Sequence, residues 1–329
     1  MKYVAFAGLR HDHIFSLVNE IRNNPEFAIT GAWEENEEVR ARHADKFPEG
    51  FYDSFEALLS DERVDIVAIG DYYGVRGQRA IAALKAGKHV MSDKPLCTKT
   101  EELEEIAALH EKTGLKVGCM LSLRQDAGLR LAEKYIKEGK LGKIHTVCFT
   151  GQHPLNYGKR PMWYFEEGKH GGVFNDIAIH GIDAVTMMTG LDYGKTIAAR
   201  QWNAFAKEQP HFKDCAQLMG TLENGAGVIV DVSYSAPAPS GFRLPVYWRF
   251  SIAGENGFIE VKAGNGFIDV ALAGDEQMTR VEAQPVESGY FTAFLSEIEN
   301  GEADAETKNV LNSTRRVLEI QAFADRQCP

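Results

Sequence analysis

The stretch YVAFAGLRHDHI, residues 3–14, decides the fold of the first part of the chain. Its first five residues are apolar and predict a buried strand, after which Gly8 starts a turn into a helix that begins at His13. A dinucleotide-binding turn normally carries three glycines, for the tight turn, for close approach to a diphosphate and for helix packing. Here Gly8 takes the first position, whereas Arg10 and His13 take the other two.

This altered turn leaves two interpretations open. The helix N-terminus still attracts an anion, and the Arg10 guanidinium can bind a phosphate through two parallel hydrogen bonds. In the alternative, Arg10 is a solvated loop charge, Asp12 caps the helix, and His11 and His13 lie on the surface. We predict no metal site at His11, Asp12 and His13, because no nearby residue completes a set of three or four ligands.

Length and composition indicate a soluble globular protein with two domains. The chain has 329 residues, of which 44% are hydrophobic and 25% charged, and single cores rarely grow beyond about 250 residues. No apolar run approaches the roughly 18 residues that a membrane span requires, and the first residues do not resemble an export signal. We therefore expect a cytoplasmic protein with no membrane partner.

Charge and cysteine content argue against further classes of protein. The 36 basic and 47 acidic residues give a net charge of −11, and no basic patch is segregated, so we expect no nucleic-acid partner. The five cysteines are far apart and form no CxxC pair. This spacing argues against a disulfide framework and against a thiolate metal site, so reduced thiols are expected.

Up to about residue 120, short apolar runs alternate with helical segments. The predicted strands are Tyr3–Ala7, Phe27–Trp33, Val64–Ile69, His89–Ser92 and Val117–Met120, and the predicted helices begin at His13, Phe55, Arg76 and Thr100. Continuous apolar strands interleaved with helices predict a parallel sheet covered on both faces. The first domain is therefore expected to be a doubly wound, Rossmann-like α/β domain.

Beyond a helix at Ala127–Glu138, the pattern changes to strands that follow one another directly. Strands are expected at Ile144–Gly151, Ile197–Phe205, Ala216–Leu222, Gly227–Tyr234, Trp248–Ala253, Phe258–Val261 and Phe267–Leu272, and helices at Tyr290–Asn300 and Ala305–Asp325. Turn signals between the strands predict a mostly antiparallel sheet. We divide the chain into domains of residues 1–122 and 123–329, with the C-terminal helix able to pack back toward the first domain.

Glu34 ends the second predicted strand, 26 residues after Gly8. An acidic side chain at this position accepts hydrogen bonds from the adenosine ribose hydroxyls and repels a 2′-phosphate, which favours NAD over NADP. In the alternative, Glu34 belongs to a solvated acidic run with Glu35, Glu37 and Glu38 that opens a helix.

Lys94 follows the strand His89–Ser92, at the sheet edge where open α/β sheets bind ligands. Pro95 biases the backbone of Lys94 toward an extended conformation, which directs its side chain. A lysine placed there can donate to a substrate hydroxyl and take part in proton transfer. Position alone favours the alternative, a surface lysine.

The segment GGVFNDIAIHGID, residues 171–183, carries a second polar set. Asp176, His180 and Asp183 are spaced so that one helix would place all three on the same face. A carboxylate beside an imidazole fixes its tautomer and prepares it for proton transfer. In the alternative, Asp176 is a helix N-cap and His180 is a core or surface histidine.

Three ordered motifs together resemble the Gfo/Idh/MocA family, the relatives of glucose-fructose oxidoreductase and inositol dehydrogenase. They are AIAALKAGKHVMSDKPL at residues 80–96, IKEGKLGKI at residues 136–144 and GGVFNDIAIHGID. The first is similar to the family signature AGKHVxxEKP, with Asp93 in place of glutamate. The resemblance implies an N-terminal Rossmann domain and a C-terminal α/β domain with a large, open, mostly antiparallel sheet, whose open face forms homo-oligomers, here a dimer or tetramer.

The resemblance also implies an activity, the reversible NAD-dependent oxidation of a secondary alcohol on a sugar or cyclic polyol. It assigns Lys94 to the nicotinamide region and Asp176 with His180 to the substrate, so that an amine and an imidazole meet at one carbon. Which of Lys94 and His180 accepts the proton stays open. Two alternatives remain, an enzyme that retains NAD for elimination, epimerisation or glycosidic cleavage, and a non-catalytic sensor of nucleotide or sugar.

The chain departs from the family pattern mainly on the predicted cofactor side. Asp71, Tyr72 and Arg76 stand where the family often has Thr-Pro and a later histidine, and Ala127 replaces an expected proline. The cofactor candidates are Gly8, Arg10, His11, His13, Glu34, Asp71, Tyr72, Arg76, Asp93 and Lys94. The substrate candidates are Arg124, Lys159, Arg160, Trp163, Tyr164 and Asn175, with Lys169 and His170 in the same group of segments.

Overall fold

The computed structural model describes residues 1–237, 247–286, 289–300 and 305–327. The chain forms two compact units. The first comprises residues 1–120, 168–171 and 291–314, and the second comprises residues 121–167, 172–290 and 315–329. Within the described ranges no helix combines the length and apolarity needed to cross a membrane. The four described cysteines carry free thiols, and Cys328 lies outside the described residues.

The first unit contains a five-stranded parallel sheet with strand order β2-β1-β3-β4-β5. Its strands are β1 Lys2–Ala7, β2 Phe27–Trp33, β3 Ile66–Ile69, β4 His89–Ser92 and β5 Val117–Cys119. The inner strands are almost entirely buried, as expected when helices cover both faces of a parallel sheet. The doubly wound α/β prediction is confirmed.

The helices of this sheet are α1 Ile14–Arg22, α2 Glu37–Arg42, α3 Phe55–Ser60, α4 Tyr73–Lys85 and α5 Thr100–Thr113. α1 buries Ile14, Leu17, Val18 and Ile21, the i, i+3, i+4, i+7 spacing of one helix face. Asn36 and Ser54 cap α2 and α3 by accepting a backbone N–H three residues ahead. Apolar periodicity and caps together therefore set these boundaries.

The second unit contains an eight-stranded sheet with order β13-β12-β11-β10-β6-β9-β8-β7. Its elements are α6 Ala127–Lys137, β6 Ile144–Pro154, α7 Ile179–Thr189, β7 Tyr193–Trp202, β8 Cys215–Leu222, β9 Gly227–Ala236, β10 Trp248–Gly254, β11 Gly257–Lys262, β12 Phe267–Leu272 and β13 Thr279–Glu282. Among the described strands of this second sheet, only β6 and β9 pair in parallel, so the sheet is mostly antiparallel as predicted. Helices α6 and α7 pack on this sheet.

Two helices end the chain, α8 Tyr290–Asn300 and α9 Ala305–Gln327. The Glu297 carboxylate of α8 accepts the backbone N–H groups of Glu306 and Thr307 at the start of α9. The first part of α9 also contacts the first sheet, where the Thr307 hydroxyl accepts the N–H of Val117 at 3.2 Å.

A helix and a strand depart from their predicted bounds, and one strand was not predicted. Helix α4 begins at Tyr73 rather than Arg76, which places Arg76 inside the helix. Strand β7 spans Tyr193–Trp202 rather than Ile197–Phe205, because the Asp214 carboxylate accepts three successive N–H groups at residues 204–206 and turns the chain there. Strand β13 was not predicted, since its residues are polar and mostly exposed.

Candidate functional site

The turn after β1 is tight and depends on its single glycine. Gly8 has φ +76°, and a Cβ added to it would lie 2.5 Å from the Cβ of Asp71, so a larger residue meets strain and a clash together. Helix α1 then starts with His13 as N-cap, without a side-chain cap. The alternative in which Asp12 caps the helix is therefore wrong.

Glu34 is buried and holds the turn. Its carboxylate accepts hydrogen bonds from Leu9 N at 2.7 Å, Arg10 Nε at 3.2 Å and Asn36 N at 2.8 Å. Since Glu34 is only 4% exposed, its membership of a solvated acidic run is wrong. Arg10 also donates to Glu35 at 2.7 Å, so its guanidinium is engaged by carboxylates at the position predicted to bind phosphate.

Asp71 completes this acidic and basic group at the end of β3. It lies 3.6 Å from Arg10 and 3.9 Å from Arg79, and it accepts the N–H of Tyr72 at 2.8 Å. Burial, together with the nearby Glu34 charge, raises the pKa of Asp71 to about 6. The carboxyl is thus poised to gain a proton in mildly acidic solution.

Arg76 is completely buried and organises the loop after β4. It donates to Asp71 O at 2.8 Å, to Asp93 Oδ2 at 3.0 Å and to the carbonyl of Lys94. Its guanidinium also lies 4.6 Å from the centre of the Tyr73 ring. Burial opposes ionisation of Asp93, but His11 and Arg76 keep its pKa well below the ordinary value.

His11 and His13 do not lie on the surface in the way that the alternative interpretation requires. His11 is buried, and its Nδ1 contacts Asp93 while its Nε2 lies 3.2 Å from the Tyr73 hydroxyl. His13 is half-buried, with Nδ1 3.7 Å from Asp93. The argument that no third ligand lies near these histidines is also wrong, because Asp93 brings three possible ligand atoms within 4.8 Å of one another. The sequence did not indicate Asp93 as a neighbour, because it lies 82 residues from His11 in the chain.

Lys94 lies at the carboxyl end of β4 and is 1% exposed, so the surface-lysine alternative is wrong. Its Nζ is 5.8 Å from the centre of the Tyr73 ring. The Lys94–Pro95 peptide bond is cis. A buried ammonium at this edge of a parallel sheet can bind and polarise an oxygen atom of a ligand.

In the second unit, Asp176 lies within a π-helical turn, Phe174–Ala178, that continues directly into α7. The helix N-cap of that turn is Val173, so the alternative in which Asp176 caps a helix is wrong. Asp176 accepts a hydrogen bond from the hydroxyl of Tyr234 on β9. π-helical turns often occur at functional sites, where they redirect a side chain.

His180 and Asp183 both lie on α7, three residues apart. The His180 ring is 5.4 Å from the Trp248 ring and is largely buried. Asp183 binds Arg124 through two hydrogen bonds, one of them 2.8 Å long. Arg124 is therefore engaged in a buried ion pair with α7, and Asp126 next to it caps α6.

Arg160 lies in an aromatic cluster of the second unit. Its guanidinium is 4.3 Å from the centre of the Tyr164 ring and 5.5 Å from that of Tyr234, and it donates to His153 at 3.0 Å. Trp163 stacks on Tyr164 at 4.2 Å. Because Tyr234 also contacts Asp176, these aromatic rings and the π-helical turn form one cluster.

The remaining substrate candidates lie in different parts of the structure. Lys159 is exposed, and Asn175 is fully buried beside Asp176. Lys169 and His170 belong to the first unit, where they contact the rings of Tyr72 and Tyr73 at 5.1 and 5.4 Å. Sequence reasoning missed Tyr73, Tyr234 and His153, because aromatic residues in buried elements give no signal that separates a site from a core.

In the first unit, the strand order and the glycine of the first turn are those expected of a dinucleotide-binding domain. The strand order reverses between β1 and β3, and this is the point where open α/β sheets bind nucleotides. The close approach of Gly8 to Asp71 and the α1 N-terminus without a side-chain cap are also expected of such a site. The turn itself differs, because the N–H groups of Leu9 and His11 are bonded to Glu34 and Gly70. The N–H groups of residues 14–16 at the start of α1 are also bonded, to the carbonyls of residues 11–13. A diphosphate would therefore depend on the side chains of Arg10 and His13, in competition with their carboxylate neighbours.

This architecture is that of a two-domain oxidoreductase with a nucleotide-binding first domain. Residues 6–120 match the profile described as "Oxidoreductase family, NAD-binding Rossmann fold", and residues 129–260 match the GFO/IDH/MocA C-terminal domain. The chain belongs to the Gfo/Idh/MocA family, as its motifs indicated, and its first domain is the NAD-binding Rossmann domain of that family.

Named relatives include the levoglucosan dehydrogenase of Pseudarthrobacter phenanthrenivorans, 28% identical over 202 residues, which are 59% of this chain and 50% of that enzyme. The chain thus spans about half the length of the curated relatives it matches.

Solved structures that share the fold include the following two. A putative oxidoreductase from Erwinia carotovora atroseptica has a TM-score of 0.88 at 24% identity, covering 98% of this chain and 99% of that one. Levoglucosan dehydrogenase in complex with NADH and levoglucosan has a TM-score of 0.82 at 21% identity, covering 99% and 96%. At these identities the likeness concerns the fold alone.

Proposed function

We propose that the protein is an NAD-dependent dehydrogenase that oxidises a secondary alcohol of a sugar, anhydro sugar or cyclic polyol. The observation that carries the proposal is the burial of Lys94 at the carboxyl edge of the NAD-binding sheet, beside the Asp93 and Arg76 ion pair. A relative with 28% identity is named as a levoglucosan dehydrogenase, which supports this class of substrate.

In the proposed reaction, Lys94 donates a hydrogen bond to the substrate oxygen and polarises it. His180 accepts the hydroxyl proton, and Asp176 orients the substrate or the imidazole. The bound nicotinamide supplies the acceptor for the hydride of the carbinol carbon. The roles of Lys94 and His180 can be exchanged without changing the balance of protons and electrons.

We assign the cofactor preference to NAD on the basis of Glu34. Its carboxylate is buried beside the turn, and with Asp71 and Glu35 it makes this corner acidic, which disfavours a 2′-phosphate. Arg10 offsets part of that charge, so the preference is expected to be moderate.

The experiment is a screen of anhydro sugars, inositols and aldoses with NAD or NADP, followed at the absorption band of the reduced nicotinamide. We expect reduction of NAD by at least one member, and loss of at least 100-fold in kcat for Lys94→Ala and His180→Ala, in line with the typical contribution of proton-transfer groups. Lys262→Ala, an exposed strand lysine, is the control. Binding of NAD without reduction by any compound would favour the sensor alternative and contradict the proposal.

We also propose that the chain forms a homo-oligomer through the face of the second sheet that α6 and α7 leave uncovered. Met219 and Ile229 are exposed there by 43% and 45%. Met219 and Ile229 pair directly across β8 and β9, so they form one apolar patch.

A further inference from the structure

Three buried side chains of the first unit form a chain of hydrogen bonds that the proposed reaction does not use. The Tyr73 hydroxyl lies 3.2 Å from His11 Nε2, and His11 Nδ1 contacts Asp93 Oδ2. Tyr73 and Asp93 are completely buried, and His11 is 7% exposed. They come from the first turn, helix α4 and the loop after β4, so the fold brings together residues far apart in sequence.

The directions of these hydrogen bonds follow from charge. Asp93 is ionised and can only accept, so His11 Nδ1 carries the hydrogen of their contact. Burial lowers the pKa of His11 to about 3, and the ionised Asp93 beside it opposes this shift only in part. His11 is therefore neutral at pH 7, its Nε2 carries no hydrogen, and the Tyr73 hydroxyl must donate to it.

This arrangement contacts Lys94 both at its backbone and at its ammonium group. Asp93 is its neighbour in the chain, and Arg76 bonds both to Asp93 and to the carbonyl of Lys94. At the other end, the Lys94 ammonium lies over the Tyr73 ring, 5.8 Å from its centre. Since the hydroxyl of that ring is bonded to His11, a sideways displacement of the ring would break the hydrogen bond.

We infer that Tyr73, His11 and Asp93 form a positioning triad that fixes the ammonium of Lys94 for the proposed reaction. The inference rests on the proposed function for its consequence in catalysis, but its geometry is independent of it. The same His11 and Asp93 could instead bind a metal ion together with His13. The triad accounts for both side chains without an ion, and Arg76 already supplies a positive charge to Asp93.

The kinetic test compares Tyr73→Phe with Tyr73→Leu. Phenylalanine keeps the ring and loses the hydrogen bond, so we expect kcat to fall about threefold to tenfold. Leucine removes the ring, so we expect a loss of more than tenfold, with the Kd of NAD within about twofold of wild type. Tyr135→Leu is the matched control, because the Tyr135 ring on α6 also lies beneath a lysine ammonium, that of Lys140 at 3.8 Å from the ring centre. Unchanged kcat in both variants, or a fall in NAD affinity that accounts for the loss, would overturn the inference.

The second test needs neither substrate nor cofactor. We expect ¹⁵N NMR of histidine-labelled protein at pH 7 to show a neutral His11 with the hydrogen on Nδ1, assigned by its loss in His11→Gln. The Nε2 signal should move in Tyr73→Phe and stay in Tyr135→Leu. An imidazolium, the opposite tautomer, or a signal that changes with chelator or added zinc would overturn the triad. If the protein shows no dehydrogenase activity, this measurement still decides the geometry, so the two failures are distinguishable.

Discussion

Arg10, His11 and Arg76 are basic residues in or beside a turn that normally carries glycines, and each finds an acidic partner nearby. Arg10 pairs with Glu34, while His11 and Arg76 both bond to Asp93. Charges buried in pairs and satisfied by hydrogen bonds avoid most of the cost that a lone buried charge would carry. The departures are therefore mutually compensating, and replacing one alone is expected to leave its partner uncompensated.

Asp71 predicts a dependence of stability on pH. Its unfolded pKa is about 3.9, and burial raises the folded value to about 6. A raised folded pKa contributes stability that is fully present below about pH 4 and is lost as the pH rises through about 6, a change of about 3 kcal/mol. The variant Asp71→Asn has no carboxyl to ionise at this position, so it does not lose this stability as the pH rises. Its melting temperature relative to wild type should therefore rise between pH 4 and pH 8.

The control for this titration is Asp269→Asn, which removes a surface aspartate paired with Arg280. Arg280 lowers the pKa of Asp269, so this variant should show no such rise. A melting-temperature difference between Asp71→Asn and wild type that stays constant from pH 4 to pH 8 would contradict the assignment.

At the scale of elements, helix α9 begins on a cap that another helix supplies. The Glu297 carboxylate of α8 accepts the N–H groups of Glu306 and Thr307 and the Thr307 hydroxyl. A negative charge at a helix N-terminus satisfies its N–H groups and interacts favourably with the helix dipole. The link between α8 and α9 therefore sets where α9 starts.

Glu297→Ala should destabilise the first turn of α9 by about 1 to 2 kcal/mol, the usual cost of losing a cap. Hydrogen exchange of the amides at residues 306–309 measures it directly, with Glu299→Ala, an exposed neighbour on α8, as control. Equal protection of these amides in both variants would show that the cap does not hold the helix.

At the scale of the whole molecule, the exposed apolar face of the second sheet predicts self-association. Ile229→Glu places a charge in the patch formed with Met219, so we expect it to convert an oligomer into monomers. Light scattering of the purified protein gives the mass. Met278→Glu, at a position 42% exposed and outside the patch, should keep the wild-type mass. A monomeric wild type, or an Ile229→Glu oligomer, would contradict the proposal.

The sequence predicted most of the framework because apolar runs and caps are local signals. Strands β2 and β4 and the start of α5 match their predicted bounds, and the parallel and mostly antiparallel sheets follow from the same patterns. The contacts of Asp93 with His11 and of Asp176 with Tyr234 could not be predicted, since they join residues 82 and 58 positions apart. Only the fold defines which buried polar residues become neighbours.

The most direct test of the proposed function follows deuterium from the substrate to the cofactor. Wild-type protein is incubated with NAD and with anhydro sugars, inositols and aldoses that carry deuterium at the carbinol carbon. The mass of the recovered cofactor is then measured by mass spectrometry. The account predicts a nicotinamide that carries one deuterium with wild type and with Lys262→Ala, and a strongly reduced amount with Lys94→Ala. Unlabelled cofactor after incubation with every member of the panel would contradict it, even if NAD binds.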